Sequence, residues 1–319
     1  MTELVELWRF REVTLNLVRR NLKVRYKNSL LGFAWSLLNP LMQIGVWWLV
    51  FGVIMPPKGS MQNYMPFLLA GFLPWLFFSQ TVLDSAACVT QEMALVKKAY
   101  FPRTILPLSS LISNLVHLAL AVAVMLTVFT LAGWASYSSF WTHLWLLLPA
   151  SLLIIVFTYG VSAMVAAWSV FYADVKFIVG NLLGLWFFLT PVLYPIALVL
   201  EKTSVEGRAN WLRTLVGGGL QVIQRIYLAD PLSVGVLGYR SALLHGGSNP
   251  LVVTADYSRA KTLAEIHAAD AEALARQVHL QGLFPFSRYV LIAAGIAILT
   301  AVVGQIVFRK LAPSFAERG

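Results

Sequence analysis

The sequence predicts an all-α membrane protein that crosses the bilayer several times, and three observations carry that prediction. Residues 104–173 run for 70 positions without one Asp, Glu, Lys or Arg, and a span needs only about 20 mostly apolar residues. Hydrophobic residues make up 59% of the chain and charged residues 12%, with a mean hydropathy of +0.74. A soluble globular chain carries about 25% charged residues.

Further uncharged stretches lie at 33–57, 59–83, 177–200 and 289–308. The long one divides at Gly133 to Ser139, where Gly-Trp-Ala-Ser-Tyr-Ser-Ser offers a polar hairpin. The expectation is six spans, near 33–55, 64–84, 107–132, 144–170, 177–199 and 289–308.

Ahead of them, residues 1–32 read as an interface helix. Leu4, Trp8, Leu15, Val18 and Leu22 fall in a narrow arc at 100° per residue. Arg9, Glu12, Asn16, Arg20 and Lys23 occupy the opposite flank, and Arg11, inside the stripe, must snorkel. Residues 33–200 then hold five spans, 201–288 an external segment, 289–308 the sixth span and 309–319 a tail.

Basic residues accumulate in cytoplasmic loops, and here they fall on one side. Fourteen lie before the first span, after the second, after the fourth and in the tail, against seven acids, a balance of +7 out of the formal +10. Of the short loops on the other side, only Lys58 is basic. Both termini are therefore expected in the cytoplasm, and the positive charge reflects topology and anionic lipid rather than nucleic acid. Thirty mixed residues precede the first span where a cleavable leader would place a short apolar core, so none is expected. Cys88 is the sole cysteine, which excludes an intrachain disulfide and a thiolate metal cage.

Chemistry-bearing motifs are sparse. No Gly-Lys pair occurs, so no P-loop can cradle a nucleotide phosphate. His-Glu-x-x-His, Gly-x-Ser-x-Gly and dinucleotide fingerprints are also missing. The polar residues expected within spans are Asn39, Gln43, Gln80, Asn114, His117 and Asn181, with Asp84 at a span edge. His117 alone is ionisable, which argues against proton coupling. Gly180 and Gly184 form a Gly-x-x-x-Gly pair suited to close helix approach, within the chain or between chains.

Two regions stand out as candidate machinery. Gln91 to Tyr100 suits a short helix carrying Lys97 and Lys98, which Pro102 ends. Aromatic rings crowd the spans at Trp35, Phe72, Trp75, Phe78, Trp186, Phe187 and Phe188, with Trp168, Phe171 and Tyr172 on one helix face. Such rings lie well against the C–H faces of sugars, whereas Trp134, Trp141 and Trp145 read as interfacial anchors. In the external segment, Trp211 to Leu228 and Leu232 to Leu244 are apolar but too short to span. They suit two helices dipping in from outside. Thr262 to Gln281 reads as a surface helix with Leu263, Ile266, Leu274 and Val278 inward.

Residues 25–41, from Arg25-Tyr26-Lys27-Asn28 through Gly32 and Trp35 to Asn39-Pro40-Leu41, closely resemble the start of the first span in membrane subunits of ATP-binding-cassette polysaccharide exporters. Leu95 to Ser109, with Lys97-Lys98-Ala99-Tyr100-Phe101-Pro102-Arg103, matches the family's cytoplasmic loop. Asp230-Pro231-Leu232 with Tyr239-Arg240 resembles its outer segment, and Phe308-Arg309-Lys310 with Phe315 its tail. Asp230 stands where the family more often has Asn, and Thr104 where an acid is common.

The resemblance implies a homodimer working with two copies of a separate ATPase, which would hold ATP and Mg; this chain itself is expected to hold no cofactor. It implies ATPase docking through Lys97, Lys98, Tyr100, Phe101, Pro102 and Arg103, and an external gate at Asp230, Pro231, Tyr239 and Arg240. A substrate channel at Trp35, Phe72, Trp75, Phe78, Trp186 and Phe187 would pass a lipid-linked polysaccharide across the cytoplasmic membrane. The alternatives are a drug or small-lipid exporter subunit, an ion-coupled transporter, and a lipid-linked glycosyltransferase or polymerase.

Overall fold

A computed structural model describes residues 8–25, 35–54, 64–132, 141, 143–194, 227–244 and 286–315. All regular structure among the described residues is helical. The helices are α1 (Arg11–Arg25), α2 (Trp35–Trp48, continued by a wider π turn at Leu49–Ile54), α3 (Tyr64–Gln91), α4 (Met93–Lys98) and α5 (Ile105–Leu131). They continue with α6 (Leu147–Phe171, entered through a 3₁₀ turn at Leu144–Leu146), α7 (Val175–Leu189), α8 (Pro231–Leu243) and α9 (Phe286–Leu311).

Four segments are long and apolar enough to cross a membrane: Met65–Gln91, Ile105–Leu131, Leu144–Phe171 and Arg288–Ser314. They correspond to the second, third, fourth and sixth expected spans. The second runs seven residues beyond its expected end at 84, so Asp84 lies well inside α3 rather than at its edge. Where the fifth was expected, α7 has 15 residues, about 22 Å at 1.5 Å per residue. The hairpin at 133–139, the apolar run 211–226 and the helix at 262–281 lie outside the described residues.

Helix α3 is the centre of the bundle, packed by α5, α6, α7 and α8. Its polar residues explain why. Ser79, Thr81 and Ser85 are buried, and Thr81 returns its hydroxyl to the Phe77 carbonyl at 2.6 Å. Asp84 accepts from Asn114 Nδ2 of α5 at 2.7 Å. A hydrocarbon surface has no partners to offer such groups, so this helix turns inward.

Helices α6 and α9 approach each other backbone to backbone. A Cβ built on Gly160 would sit 2.4 Å from the Thr300 carbonyl carbon, and one on Gly304 2.2 Å from the Gly160 oxygen. Small residues at a crossing let backbones touch, and Tyr159 of α6 donates to Gln305 of α9 beside it.

Helix α1 adds a protein-packed face that the sequence stripe did not mark. The face packed toward α5 is Phe10, Val13, Thr14, Leu17 and Val18. Of the expected stripe, Val18 is buried and Leu22 half-buried, whereas Trp8 and Leu15 are exposed; Leu4 lies outside the described residues. A 100° projection separates three faces: one packed on protein, one apolar and open (Trp8, Leu15, toward Leu22), one polar. Periodicity finds apolar arcs but does not say which of two meets protein. Arg11 lies over the Trp8 ring, its guanidinium carbon 4.9 Å from the centroid.

Candidate functional site: basic loop, aromatic cluster and buried short helix

The short helix expected at 91–100 forms as α4, ending in extended backbone at Ala99, whose N–H reaches the Leu95 carbonyl. Lys97, Lys98 and Tyr100 are exposed, Tyr100 at 99% of its surface. Phe101 is buried, whereas Pro102 and Arg103 are half-buried. The six residues therefore divide between an outward face and an inward anchor.

Phe101 belongs to a cluster with Leu17 of α1, Val96 of α4, Ile105 and Leu106 of α5, Ala163, Ala166 and Ala167 of α6, and Phe308 and Phe315 near the end of α9. Phe315 closes back over Phe308 at 5.4 Å and over Phe171 at 6.1 Å. Trp168 and Tyr172, expected on one face with Phe171, remain exposed. Arg20 of α1 pairs with Glu92, which is buried at the start of α4. Through this cluster and the Arg20–Glu92 pair, α4 is linked to α1, α5, α6 and α9.

Five of the six channel candidates converge. Trp75 stands 5.4 Å from Phe187 and 5.8 Å from Phe78; Phe78 stands 5.2 Å from Trp186; Phe72 stands 6.4 Å from Phe187. Within one chain these rings fill the space between α3 and α7, and Trp75 and Phe78 are buried there. Trp35, half-buried at the start of α2, has no ring contact with the other five among the described residues. Trp47 is the α2 ring that arrives, 5.5 Å from Phe72, and Phe157 of α6 stacks on Phe78 at 5.7 Å and 14°. Neither stood out in the sequence, where an aromatic in an apolar run looks like any other. The i, i+3 and i+6 placing of Phe72, Trp75 and Phe78 was the available signal.

The opposite face of α7 is open. Phe177, Leu182, Leu185, Phe188 and Leu189 are exposed, and a Cβ on Gly180 or Gly184 would meet nothing within 4 Å. The Gly-x-x-x-Gly pair is unused among the described residues.

Helix α8 is too short to span and is buried almost throughout against α3, α6 and α9. Its start follows from local chemistry. Pro231 takes the first helical position, where its missing N–H costs nothing. Asp230 caps it, accepting from Ser233 N at 3.0 Å, Leu232 N at 3.4 Å and Ser233 Oγ at 2.7 Å. Burial raises the Asp230 pKa above its ordinary 3.8, while hydrogen bonds from Ser233, Leu232 and the Trp186 side chain pull it down.

Arg240, at 1% exposure, donates through Nη2 to the Val192 carbonyl at 2.8 Å and through Nε to the Phe67 carbonyl at 3.3 Å. Its guanidinium carbon lies 3.4 Å from the Phe67 ring centroid. Tyr239 shares a hydrogen bond with Ser151 of α6 at 2.7 Å. Tyr194 and Tyr227 bond through their hydroxyls, and burial raises the Tyr227 pKa. The four gate candidates therefore lie together on one buried element that ties α3, α6 and the segment after α7.

Residues 12–243, more than half of the chain, match the family described as ABC-2 type transporter. The chain belongs to that family. The O-antigen export system permease protein RfbA of Myxococcus xanthus is 37% identical over 200 residues, 62% of this chain and 74% of that protein. The protein of the same name from Klebsiella pneumoniae is 28% identical over 233 residues, 73% of this chain and 80% of that one. In this ABC-2 transporter subunit the family match takes in α1 through α8, and so includes the 97–103 loop, the aromatic cluster and the capped helix α8.

Proposed function

We propose that this chain is the membrane subunit of an ATP-driven exporter that moves a lipid-linked, O-antigen-like polysaccharide across the cytoplasmic membrane. The observation that carries this is the likeness to the O-antigen export permeases over most of their length. In this reading two copies pair about a two-fold axis and bind two copies of a separate ATPase, where ATP and Mg reside. Six spans place both termini in the cytoplasm, with α2 and its continuation and α7 as the first and fifth. The stripe Trp8, Leu15 and Leu22 of α1 rests in the membrane interface.

Lys97, Lys98 and Tyr100 face the ATPase, with Pro102 and Arg103 beside them, and Phe101 carries the motion inward. ATP binding draws the two ATPases together, shifting α4 and with it the cluster around Phe101 and Phe315. The open face of α7, with Gly180 and Gly184, meets the second copy or the path between copies. The rings from Phe72 to Phe187 back that path, Trp35 stands at its cytoplasmic end, and Asp230, Pro231, Tyr239 and Arg240 fix the outer gate.

The test is export in membranes carrying the chain and an ATPase encoded beside it. Export of lipid-linked polysaccharide that needs both proteins and ATP supports the proposal. Turnover of lipid-linked sugar by the purified chain alone overturns it.

A further inference from the structure

A groove of about 390 Å³ lies between α6, α8 and α9 at the end of the bundle away from the α4 loop. Pro149 and Leu153 of α6, Val234 and Gly238 of α8, and Ala294 and Ile298 of α9 form its walls. Of the 13 residues lining it, Ser241 alone carries a polar side chain. At its edge α8 packs Gly238 closely on Ala150, where an added Cβ would stand 2.8 Å from the alanine methyl, and α9 lines the wall with the small Ala294 and Ala297.

Apart from Leu146 in the turn before α6, its residues on these helices lie within the first ten positions of α6 and the first thirteen of α9, about 14 and 18 Å from the helix starts at 1.5 Å per residue. That depth corresponds to one leaflet of a hydrocarbon core about 30 Å thick. The groove opens beside Leu152 and Ile298, both exposed, and merges with the exposed apolar surface of Leu148, Leu291 and Leu299. No lining residue comes from α2 or α7.

Water gains little in such a space, because a bound water needs two to four polar partners. A sugar fares no better, having hydroxyls to satisfy. An empty groove would forfeit the dispersion contacts of its walls. We propose that it holds an acyl chain of a bilayer phospholipid, lodged from the surrounding leaflet against α8. Continuity with the lipid-facing surface, and separation from the α2 and α7 faces, favour a bilayer lipid over the anchor of a transported substrate. The acyl chain braces α8, whose 13 residues are too few to span.

The experiment reconstitutes the full chain in vesicles of phosphatidylethanolamine and phosphatidylglycerol. A trace of phosphatidylethanolamine carries a photoactivatable diazirine midway along one acyl chain, and labelled residues are mapped by mass spectrometry. The expected result is roughly tenfold more label on the groove residues than on exposed Val302, Val303 and Ile306, the preference that ~1.4 kcal/mol of binding gives. Ala294→Phe, which fills the groove from a half-buried position, should abolish the excess and leave label at 302–306 unchanged. Uniform labelling of all exposed apolar residues would overturn the proposal. So would groove label displaced by lipid-linked polysaccharide at constant phospholipid, or disulfide capture of a cysteine at 294 by one placed in residues 245–285. Should Ala294→Phe fail to insert, Leu153→Phe tests the same wall from α6.

Discussion

The Arg240 guanidinium donates to the Val192 carbonyl at 2.8 Å, joining α8 to the segment that leaves α7 across 48 positions of sequence. The same group holds the Phe67 carbonyl near the start of α3, and Gly71 makes room for it: a Cβ there would stand 2.9 Å from Arg240 Nη2. Three elements are thus tied at one buried cation, and α8 does not move independently of them.

Arg240→Met fills the space but leaves two carbonyls without their donor, at about 1–3 kcal/mol for each buried group. The thermal midpoint of the purified chain should fall by several degrees. Arg240→Lys should recover little of it, because one ammonium lacks the planar fork that serves two acceptors. A midpoint unchanged in both variants would show that the contact contributes nothing.

Asp230 gives a pH dependence of determined sign. Burial raises its folded pKa above 3.8, so folding favours the neutral acid. This contribution to stability is complete below the unfolded value and is lost as pH rises through the raised one. Asp230→Asn retains a capping oxygen and removes the titration. Thermal midpoints measured against pH should flatten across that window, with the variant at least as stable as the parent at pH 7. A variant clearly less stable at pH 7 would mean that the charged form is the one the fold requires.

The proposed docking role of the 97–103 loop predicts that binding and transmission separate there. Tyr100→Ala, at a fully exposed position, should change stability by less than ~0.5 kcal/mol while weakening ATPase capture, as should Lys97→Ala with Lys98→Ala. Phe101→Ala opens a cavity among Leu17, Ile105 and Phe308 and should cost about 3–5 kcal/mol. Pull-down of the ATPase and thermal unfolding, measured on the same samples, distinguish the two. Equal losses of both quantities in both variants would refute the division.

At the crossing of α6 and α9, Gly160→Ala sets a methyl against the Thr300 backbone, which has no flexible side chain to yield. The expected result is loss of folded protein in detergent, whereas Gly180→Ala on the open face of α7 leaves the monomer fold unchanged. Cross-linking yield between two copies then reports whether Gly180 approaches a partner.

Trp75 and Trp145 contrast a packed ring with an exposed one. Trp75→Ala should cost about 3–5 kcal/mol and Trp145→Ala far less. Trp75→Phe keeps most of the contact with Phe78 and Phe187. If it lowers export and substrate-stimulated ATP hydrolysis at an unchanged thermal midpoint, the ring touches substrate; unchanged export assigns it to packing alone.

The sequence by itself determined the solvent of this protein and a few local helix boundaries. Seventy uncharged residues admit no other medium than lipid, and Pro102 and Asp230-Pro231 set local boundaries through groups that act within a turn of themselves. Spacing also gave α4, because lysines followed by a proline need nothing distant to end a helix. Tertiary structure alone decided which face of each helix meets protein. In a chain this apolar, lipid-facing and core-facing residues look alike, so Leu15 on the open side and Leu17 on the packed side of α1 carry the same signal. It also decided that Phe101 anchors while Tyr100 projects, that Trp47 and Phe157 join the aromatic cluster, and that Arg240 finds its acceptors at Val192 and Phe67. Those partners lie 48 and 173 positions away in sequence, and periodicity extends no further than the helix that bears it.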